Sequence, residues 1–563
     1  MQSNIKMEDC FPYSKARPAQ EDILKSLDKI YSYDDKYRYI VIEAGTGIGK
    51  SAIAKSISKK EKTCYLLTAT KQLQDQYIHD FGNMGASAVK GSVNYECAVD
   101  DTLDCSNGAC KLSLDGMRSR CYADKACPYQ NAKQKADASE MFVTSYAYFL
   151  RVSRGNNTSF KSRNVIIVDE CHMLEDQLIN CAGFTLNPEK MNHRYQIHHG
   201  MDFKTMVLYK HMPNPDDEQQ MIQWIFLVKK LIAKRMEIFQ KSIFAARYGD
   251  RSQMTADELS DVEDLDIKDT SQKLEELKRL YEKIIKFLNE EDKSNWVMSV
   301  KDKQISVKPI NVDGLFKQLI DKFAIHKVVF MSATILDKVG FCNDMGIEAD
   351  KTCFVTRDGV FSAKRSPIVY DPVGSMSYKN INFTMPYVID EIKRIMELYP
   401  NEKGIIHTAT YNIAQQITEA IKSDRFVVRE HDESNEDLFQ YHAQSDKPTI
   451  LVSPSLMAGV DLHDDLSRFQ IVVKLPYISL ADERVKRKMQ KNQKWYTCKM
   501  LRNLVQECGR STRNEKDWSV TYILDNAFEK TVYFNKKMLS PHFLNRIVNV
   551  NNFKVQEYRN LVK

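Results

Sequence analysis

Residues 39–51 read Tyr-Ile-Val-Ile-Glu-Ala-Gly-Thr-Gly-Ile-Gly-Lys-Ser. A β-branched run leads into three glycines at alternate positions, Gly45, Gly47 and Gly49, and then into Lys50 and Ser51. That pattern suits phosphate binding. Backbone N–H groups close around a phosphate only where side chains are small, and glycine permits the tight turn. Ala44 stands at the first position of the turn, where a glycine is usual, and Thr46 lies between the first two glycines. Lys50 would reach the β and γ phosphates, Ser51 would place a hydroxyl on Mg²⁺, and the following helix adds its positive N-terminal end. ATP and Mg²⁺ are therefore the expected ligands.

A second strand-like run, Asn164-Val-Ile-Ile-Val-Asp-Glu-Cys-His172, ends on two adjacent acids. Beside a phosphate turn, Asp169 is expected to hold Mg²⁺ and Glu170 to orient and deprotonate the attacking water. His172 would couple the site to its neighbours. Far along the chain, Gln506-Glu-Cys-Gly-Arg-Ser-Thr-Arg513 places Arg510 and Arg513 three apart, on one helix face. Both are expected to aim guanidinium groups at the γ-phosphate, with Gln506 in the same motif.

Strands must deliver these residues. Short apolar runs recur at Tyr39–Glu43, Cys64–Thr68, Met141–Thr144, Val165–Val168 and Val328–Met331. A second set lies at Gly404–His407, Thr449–Val452, Ile471–Lys474 and Ser519–Leu524. Helical patterns separate them, so the fold class is α/β with two parallel-sheet domains. Residues 183–305 read as charged helices. Basic clusters at Lys229–Lys230 and at Arg484, Lys486, Arg487 and Lys488 are expected on solvated helix faces. The 563 residues are 43% hydrophobic and 28% charged, a globular composition, and the net charge of +6 mildly favours a polyanionic partner. No apolar run reaches the roughly 18–20 residues needed to cross a bilayer. The amino terminus has no apolar signal core, so thirteen mostly reduced cysteines are expected. Cys97, Cys105, Cys110, Cys121 and Cys127 crowd one short stretch, as metal ligands do.

Asp-Glu-x-His after such a phosphate turn resembles the superfamily two helicases, among which an alanine at position 44 is common. Other motifs then take places. Arg17-Pro-Ala-Gln20 resembles the adenine-contacting segment, with Gln20 on the base. Thr68-Ala-Thr-Lys-Gln-Leu-Gln-Asp-Gln76 and Gly404-Ile-Ile-His-Thr-Ala-Thr-Tyr411 resemble the segments that grip a nucleic-acid backbone. Ser332-Ala-Thr334 resembles the motif linking hydrolysis to domain movement. Ser453-Pro-Ser-Leu-Met-Ala-Gly-Val-Asp-Leu462 resembles a motif of the second domain, which implies close backbone approach at Gly459 and an Asp461 that organises the ribose or an arginine. Two departures stand out: Ala458 where the family often has glutamate, and Ser145-Tyr146 where it often has asparagine.

The cysteines between the first grip segment and Asp169 narrow the resemblance to the DinG/XPD-type helicases, over nearly the whole chain. It implies two RecA-like motor domains, the first in three parts (1–90, 138–182 and 306–338) and the second at 339–563. It implies a cysteine-rich insertion at 91–137 and an arch-like helical insertion at 183–305. It implies a [4Fe–4S] cluster on Cys97, Cys110, Cys121 and Cys127, with Cys105 the alternative to Cys110. A zinc site, or a cluster lost with its cysteines retained, is the other use of these thiols. The implied activity is an ATP-dependent helicase moving 5′ to 3′ on single-stranded or forked DNA, in repair, recombination or replication. An RNA–DNA hybrid is a further partner. A monomer without a membrane partner is expected, in the cytoplasm, on a nucleoid or in virus-infected cells. No separate nuclease domain is expected upstream of the turn. The competing readings are a nucleic-acid-stimulated translocase that remodels without unwinding, and a binding module with a vestigial turn. Intact Lys50, Glu170, Arg510 and Arg513 speak against the last.

Overall fold

The computed structural model describes residues 5–33, 36–45, 47–99, 101, 103–108, 110, 127–153, 160–195, 212–248, 266–428, 435–454, 464–512 and 516–562. Two seven-stranded, wholly parallel sheets form two lobes. Across the first, the order is Thr352–Arg357, Tyr39–Ala44, Lys327–Ser332, Val165–Asp169, Cys64–Thr68, Met141–Ser145 and Ala86–Ala88. Its apolar runs are continuous because both faces are covered. Tyr39 and Val41 pack into one core, and Ile40 and Ile42 into the other; Phe142 and Val143, or Val328 and Val329, divide in the same way. This is the two-residue period of a strand. The second sheet runs Phe426–Val428, Ile450–Ser453, Gly404–His407, Phe469–Val472, Val520–Asp525, Ile368–Gly374 and Ile547–Asn549.

All nine expected strands form. Thr352–Arg357 lies past residue 338 and yet pairs with Tyr39–Ala44, so the first sheet extends to Arg357. As a half-exposed edge strand it has only a short apolar run, Cys353-Phe354-Val355, set between threonines and an arginine. The chain then crosses to the second sheet at Ile368, making 358–367 the linker between lobes.

The 183–305 segment is not purely helical. Its long helices, Glu218–Tyr248 and Ile267–Asn289, share an apolar core with a small antiparallel sheet of Phe184–Leu186, Gln304–Pro309 and Trp296–Lys301. The hairpin turns on Asp302 and Lys303, with φ of 48° and 59°. Left-handed residues at both turn positions match the twist of the strands, although no glycine marks the site. Another departure concerns Arg484 and Lys488, which are buried between the lobes and not solvated. Among the described residues no helix is long and apolar enough to cross a membrane.

Candidate active site

Parallel strands present ligands at their carboxyl ends. Four adjacent strands of the first sheet end on one rim, delivering the linker, the glycine turn, Ser332-Ala-Thr334 and the acid pair. The second lobe faces that rim across a cleft of about 890 Å³. Gly45, Lys50, Ser51, Asp169, Glu170 and His172 line one wall, and Gln506, Arg510 and His542 the other.

The turn is braced from behind. Gly47 and Gly49 adopt φ of +81° and +87°, where other residues are strained. Arg17 donates to the Gly47 carbonyl at 2.8 Å. Gln20 donates through Nε2 to the Gly49 carbonyl at 3.3 Å, and its Oε1 accepts the Arg17 N–H at 2.9 Å. From the linker, the Gly359 backbone and the Phe361 ring press on Gly45 and Gly47. Lys50 reaches back to the Ala44 carbonyl at 3.4 Å and lies 3.8 Å from Glu170.

Asp169 is buried and accepts the Tyr77 hydroxyl at 2.9 Å. Burial, reinforced by Glu170 and opposed by Lys50, pushes its carboxyl up to about 6. Tyr146 donates its hydroxyl to the Asp169 carbonyl, and Ser145 caps the next helix by accepting the Tyr148 N–H at 3.3 Å. Glu170 sits in the left-handed region at φ 51°, which swings its carboxylate to within 3.3 Å of His172 Nδ1. Burial lowers the His172 pKa and favours the neutral ring. Its Nε2 accepts from the Gln506 amide at 2.6 Å, which leaves the proton on Nδ1, 3.0 Å from Ser332 Oγ. Gln506 also lies 3.4 Å from Thr334 Oγ1. His172, Ser332, Thr334 and Gln506 thus form one polar bridge between the lobes.

Three contributors escaped the sequence reading. Glu43 Oε1 accepts the N–H groups of Ile335 (2.7 Å) and Leu336 (3.0 Å), fixing the turn after Ser332-Ala-Thr334. The only signal was an acid closing an apolar strand. Phe361 and His542 had none. His542 donates to the Phe361 carbonyl at 2.8 Å and so anchors the linker. The two grip segments prove to be the same turn. Thr68 and Thr408 donate to the carbonyls of Thr70 and Thr410 at 3.1 and 3.2 Å. Thr70 and Thr410 then cap the helices Lys71–Phe81 and Tyr411–Ile421. Gln74 is buried and donates to the Val89 carbonyl at 2.8 Å, so it supports the sheet.

In the cysteine stretch, Cys105 lies beside Cys127, with sulfurs 3.8 Å apart. Burial, with Cys127 adding, pushes the Cys105 thiol up to about 12. Cys97 is buried and Cys110 is half-buried. Arg510 lies past the end of the helix Gln493–Cys508, so the shared helix face expected of Arg510 and Arg513 does not form. Thr46, Cys121, Gly459, Asp461 and Arg513 lie outside the described residues.

A DEAD_2 family model matches residues 14–191, and a helicase C-terminal domain model matches residues 392–541. Together they span more than half of the chain and contain the glycine turn, the acid pair and the arginine motif. The chain belongs to the DinG/XPD-type superfamily two helicases. A solved XPD helicase superposes over 96% of this chain and 100% of its own, at TM-score 0.66 and 15% identity. For an apo XPD structure the values are 93%, 100%, 0.60 and 16%, and for S. tokodaii Xpd4 they are 95%, 100%, 0.58 and 13%. At such identities the XPD likeness establishes the fold. A Methanocaldococcus jannaschii protein described as a probable ATP-dependent helicase is 25% identical over 213 residues, 32% of this chain. The match spans 32% of that relative's length.

Proposed function

We propose that this chain is an ATP-dependent DNA helicase that moves 5′ to 3′ along single-stranded DNA, acting in repair, recombination or replication. The observation that carries the reading is the composition of the cleft. Lys50, Asp169 and Glu170 come from one lobe and Gln506 and Arg510 from the other, joined through the His172–Gln506 bond. A triphosphate between them would neutralise both walls at once, so binding would close the lobes and hydrolysis would release them. Glu170 would take the proton of the attacking water. Arg510, with Arg513, would stabilise charge on the γ-phosphate. Gln20 was expected on the base, but its buried amide is taken up by the Arg17 N–H and the Gly49 carbonyl, so it would brace the phosphate turn instead. Gly459 and Asp461 would serve the ribose side.

Mg²⁺ suits the oxygen donors Ser51 and Asp169, because a buried carboxylate with a raised pKa lacks compensating charge. When bound, the ion would offset phosphate charge. The paired threonine turns, one per lobe, support alternating grips on a phosphate backbone. Forked DNA and RNA–DNA hybrids are the duplex substrates to test.

The cysteine stretch has enough thiols for the all-thiolate donor set of a [4Fe–4S] cluster, although among the described residues no three metal-ligating side chains are gathered. Cys97, Cys121 and Cys127 would hold it, with Cys105 favoured over Cys110 by its place beside Cys127. The cluster would supply a rigid brace for the insertion. The 3.8 Å sulfur spacing also fits one edge of a tetrahedron around a single ion with bonds of about 2.3 Å. A zinc site is therefore the second reading.

The test is strand displacement on 5′- and 3′-tailed duplexes beside ATP hydrolysis with single-stranded DNA or RNA, with Lys50→Ala as the inactive control. Unwinding of the 5′-tailed duplex alone is expected. Stimulated hydrolysis without displacement would make the protein a translocase, and wild-type hydrolysis no greater than that of Lys50→Ala would overturn the motor reading.

A further inference from the structure

We infer that Glu175 is a positioning residue for ATP hydrolysis, an inference that rests on the motor reading above: its buried carboxylate pins the second lobe's arginine-bearing helix in register with the first lobe's acid pair. Glu175 follows Glu170 by five residues, in the helix Leu174–Ala182 that opens just beyond His172. Its side chain is 4% exposed. Oε1 accepts from Arg484 at 2.9 Å and from Lys488 at 2.7 Å. Oε2 lies 3.2 Å from Lys499 Nζ and 3.4 Å from the Trp495 indole nitrogen.

All four partners belong to the second lobe. Arg484 and Lys488 are four apart on the helix Glu483–Lys491, and Trp495 and Lys499 are four apart on the helix Gln493–Cys508. Each pair therefore lies on one helix face. Further contacts tie the same cations to the first lobe. Arg484 donates to the carbonyls of Pro309 and Ile310, both at 2.9 Å. Lys488 meets Asp344 at 2.8 Å, and Lys499 meets Asp176 at 3.0 Å.

A buried ion cluster is a poor source of stability, because desolvation offsets most of the attraction and apolar packing would serve as well. Register is the property that charges add. Apolar surfaces slide over one another, whereas a carboxylate satisfied by several fixed donors accepts one alignment. That alignment matters here. Lys499 precedes Gln506 by seven residues on one helix, about 10 Å along its axis, and Arg510 follows the helix end. Glu175 itself does not line the cleft, although its partner Lys499 does. Its carboxylate is taken up by second-lobe donors, so it joins the two halves of the site from behind them.

The charges balance: Arg484, Lys488 and Lys499 against Glu175, Asp176 and Asp344. Glu175→Gln keeps the shape and leaves one surplus buried cation, and Glu175→Gln with Arg484→Gln restores the balance while leaving Lys488 on Asp344 and Lys499 on Asp176. The experiment measures affinity for a fluorescent ATP analogue, kcat of DNA-stimulated hydrolysis, and radius of gyration by small-angle scattering for the wild type and both variants. The single variant is expected to bind nucleotide as the wild type does, to lose kcat on the order of tenfold, and to expand. The double variant is expected to recover compactness and much of kcat. Wild-type kcat and dimensions in Glu175→Gln would overturn the inference, as would a double variant no better than the single one. A wild-type protein that hydrolyses nothing would instead overturn the motor reading, and scattering would still decide whether Glu175 holds the lobes in register.

Discussion

Gly47→Ala probes how the linker bears on the nucleotide turn. Gly47 has φ +81°, and an L-residue held in that region costs about 1–2 kcal/mol. A Cβ added there would lie 2.0 Å from Phe361 Cζ and 2.3 Å from Cε2. Carbon contacts settle near 3.5–4.0 Å, so the ring would have to retreat by about 1.5–2 Å. The Phe361 carbonyl is held by His542 at 2.8 Å, which leaves only ring rotation or distortion of the linker. Overpacking of this kind costs about 1–3 kcal/mol, for a sum of about 2–5 kcal/mol. The turn's backbone supplies the phosphate N–H groups, so the cost should appear as lost affinity, at least about 30-fold at the lower bound. The assay is equilibrium titration with a fluorescent ATP analogue across wild type, Gly47→Ala, Phe361→Ala and the double variant. With the ring removed only strain remains, and Gly47→Ala should then cost about 1–2 kcal/mol. An equal penalty in both backgrounds would refute the ring contact. Unchanged affinity in Gly47→Ala would refute the left-handed turn.

His442 predicts a pH slope for the second lobe. Burial, with Lys403 adding and the Leu466 carbonyl opposing, lowers its pKa from 6.5 to about 4. The neutral ring donates from Nε2 to the Leu466 carbonyl and accepts the Thr449 hydroxyl on Nδ1, each at 2.8 Å. Between pH 6.5 and 4 the unfolded chain takes up a proton that the folded lobe refuses, so stability falls with pH by about 3 kcal/mol over the window. His442→Gln should flatten that slope in denaturant titrations, and an unchanged slope would exclude the residue as its source. Arg163 is buried and donates to the carbonyls of Cys64, Ala136, Asp137, Ser139 and Glu140 at 2.8–3.3 Å. Arg163→Ala should cost at least about 3 kcal/mol and expose the cysteine stretch to protease, whereas wild-type melting and digestion would contradict its role as an anchor. Cys105→Ser should lower bound metal more than Cys110→Ser does after anaerobic purification, and the reverse order would return Cys110 to the ligand set. Iron with acid-labile sulfide in the wild type would support the cluster, and zinc alone the single-ion reading.

Much of the motor was legible in the chain. The glycine turn, Asp169–Glu170 and the Gln506–Arg510 motif are local patterns, whose chemistry needs particular residue types at short spacing. Nine strands were legible because a strand buried on both faces must be apolar along its length. The edge strand Thr352–Arg357 was not, since exposure relaxes that demand. The Asp302–Lys303 hairpin lacked the expected glycine. Arg484 and Lys488 looked solvated because composition reports charge without reporting what lies opposite.

By itself, then, the order of residues determined which segments become strands and which loops carry phosphate chemistry, because backbone geometry and burial act over a few neighbours. Tertiary structure alone decided which distant groups meet: Gln506 on His172, Phe361 on Gly47, Arg484 and Lys488 on Glu175. Those pairings join residues 309–334 positions apart. No local propensity encodes them; they follow from how two sheets, each folded around its own core, come to face one another.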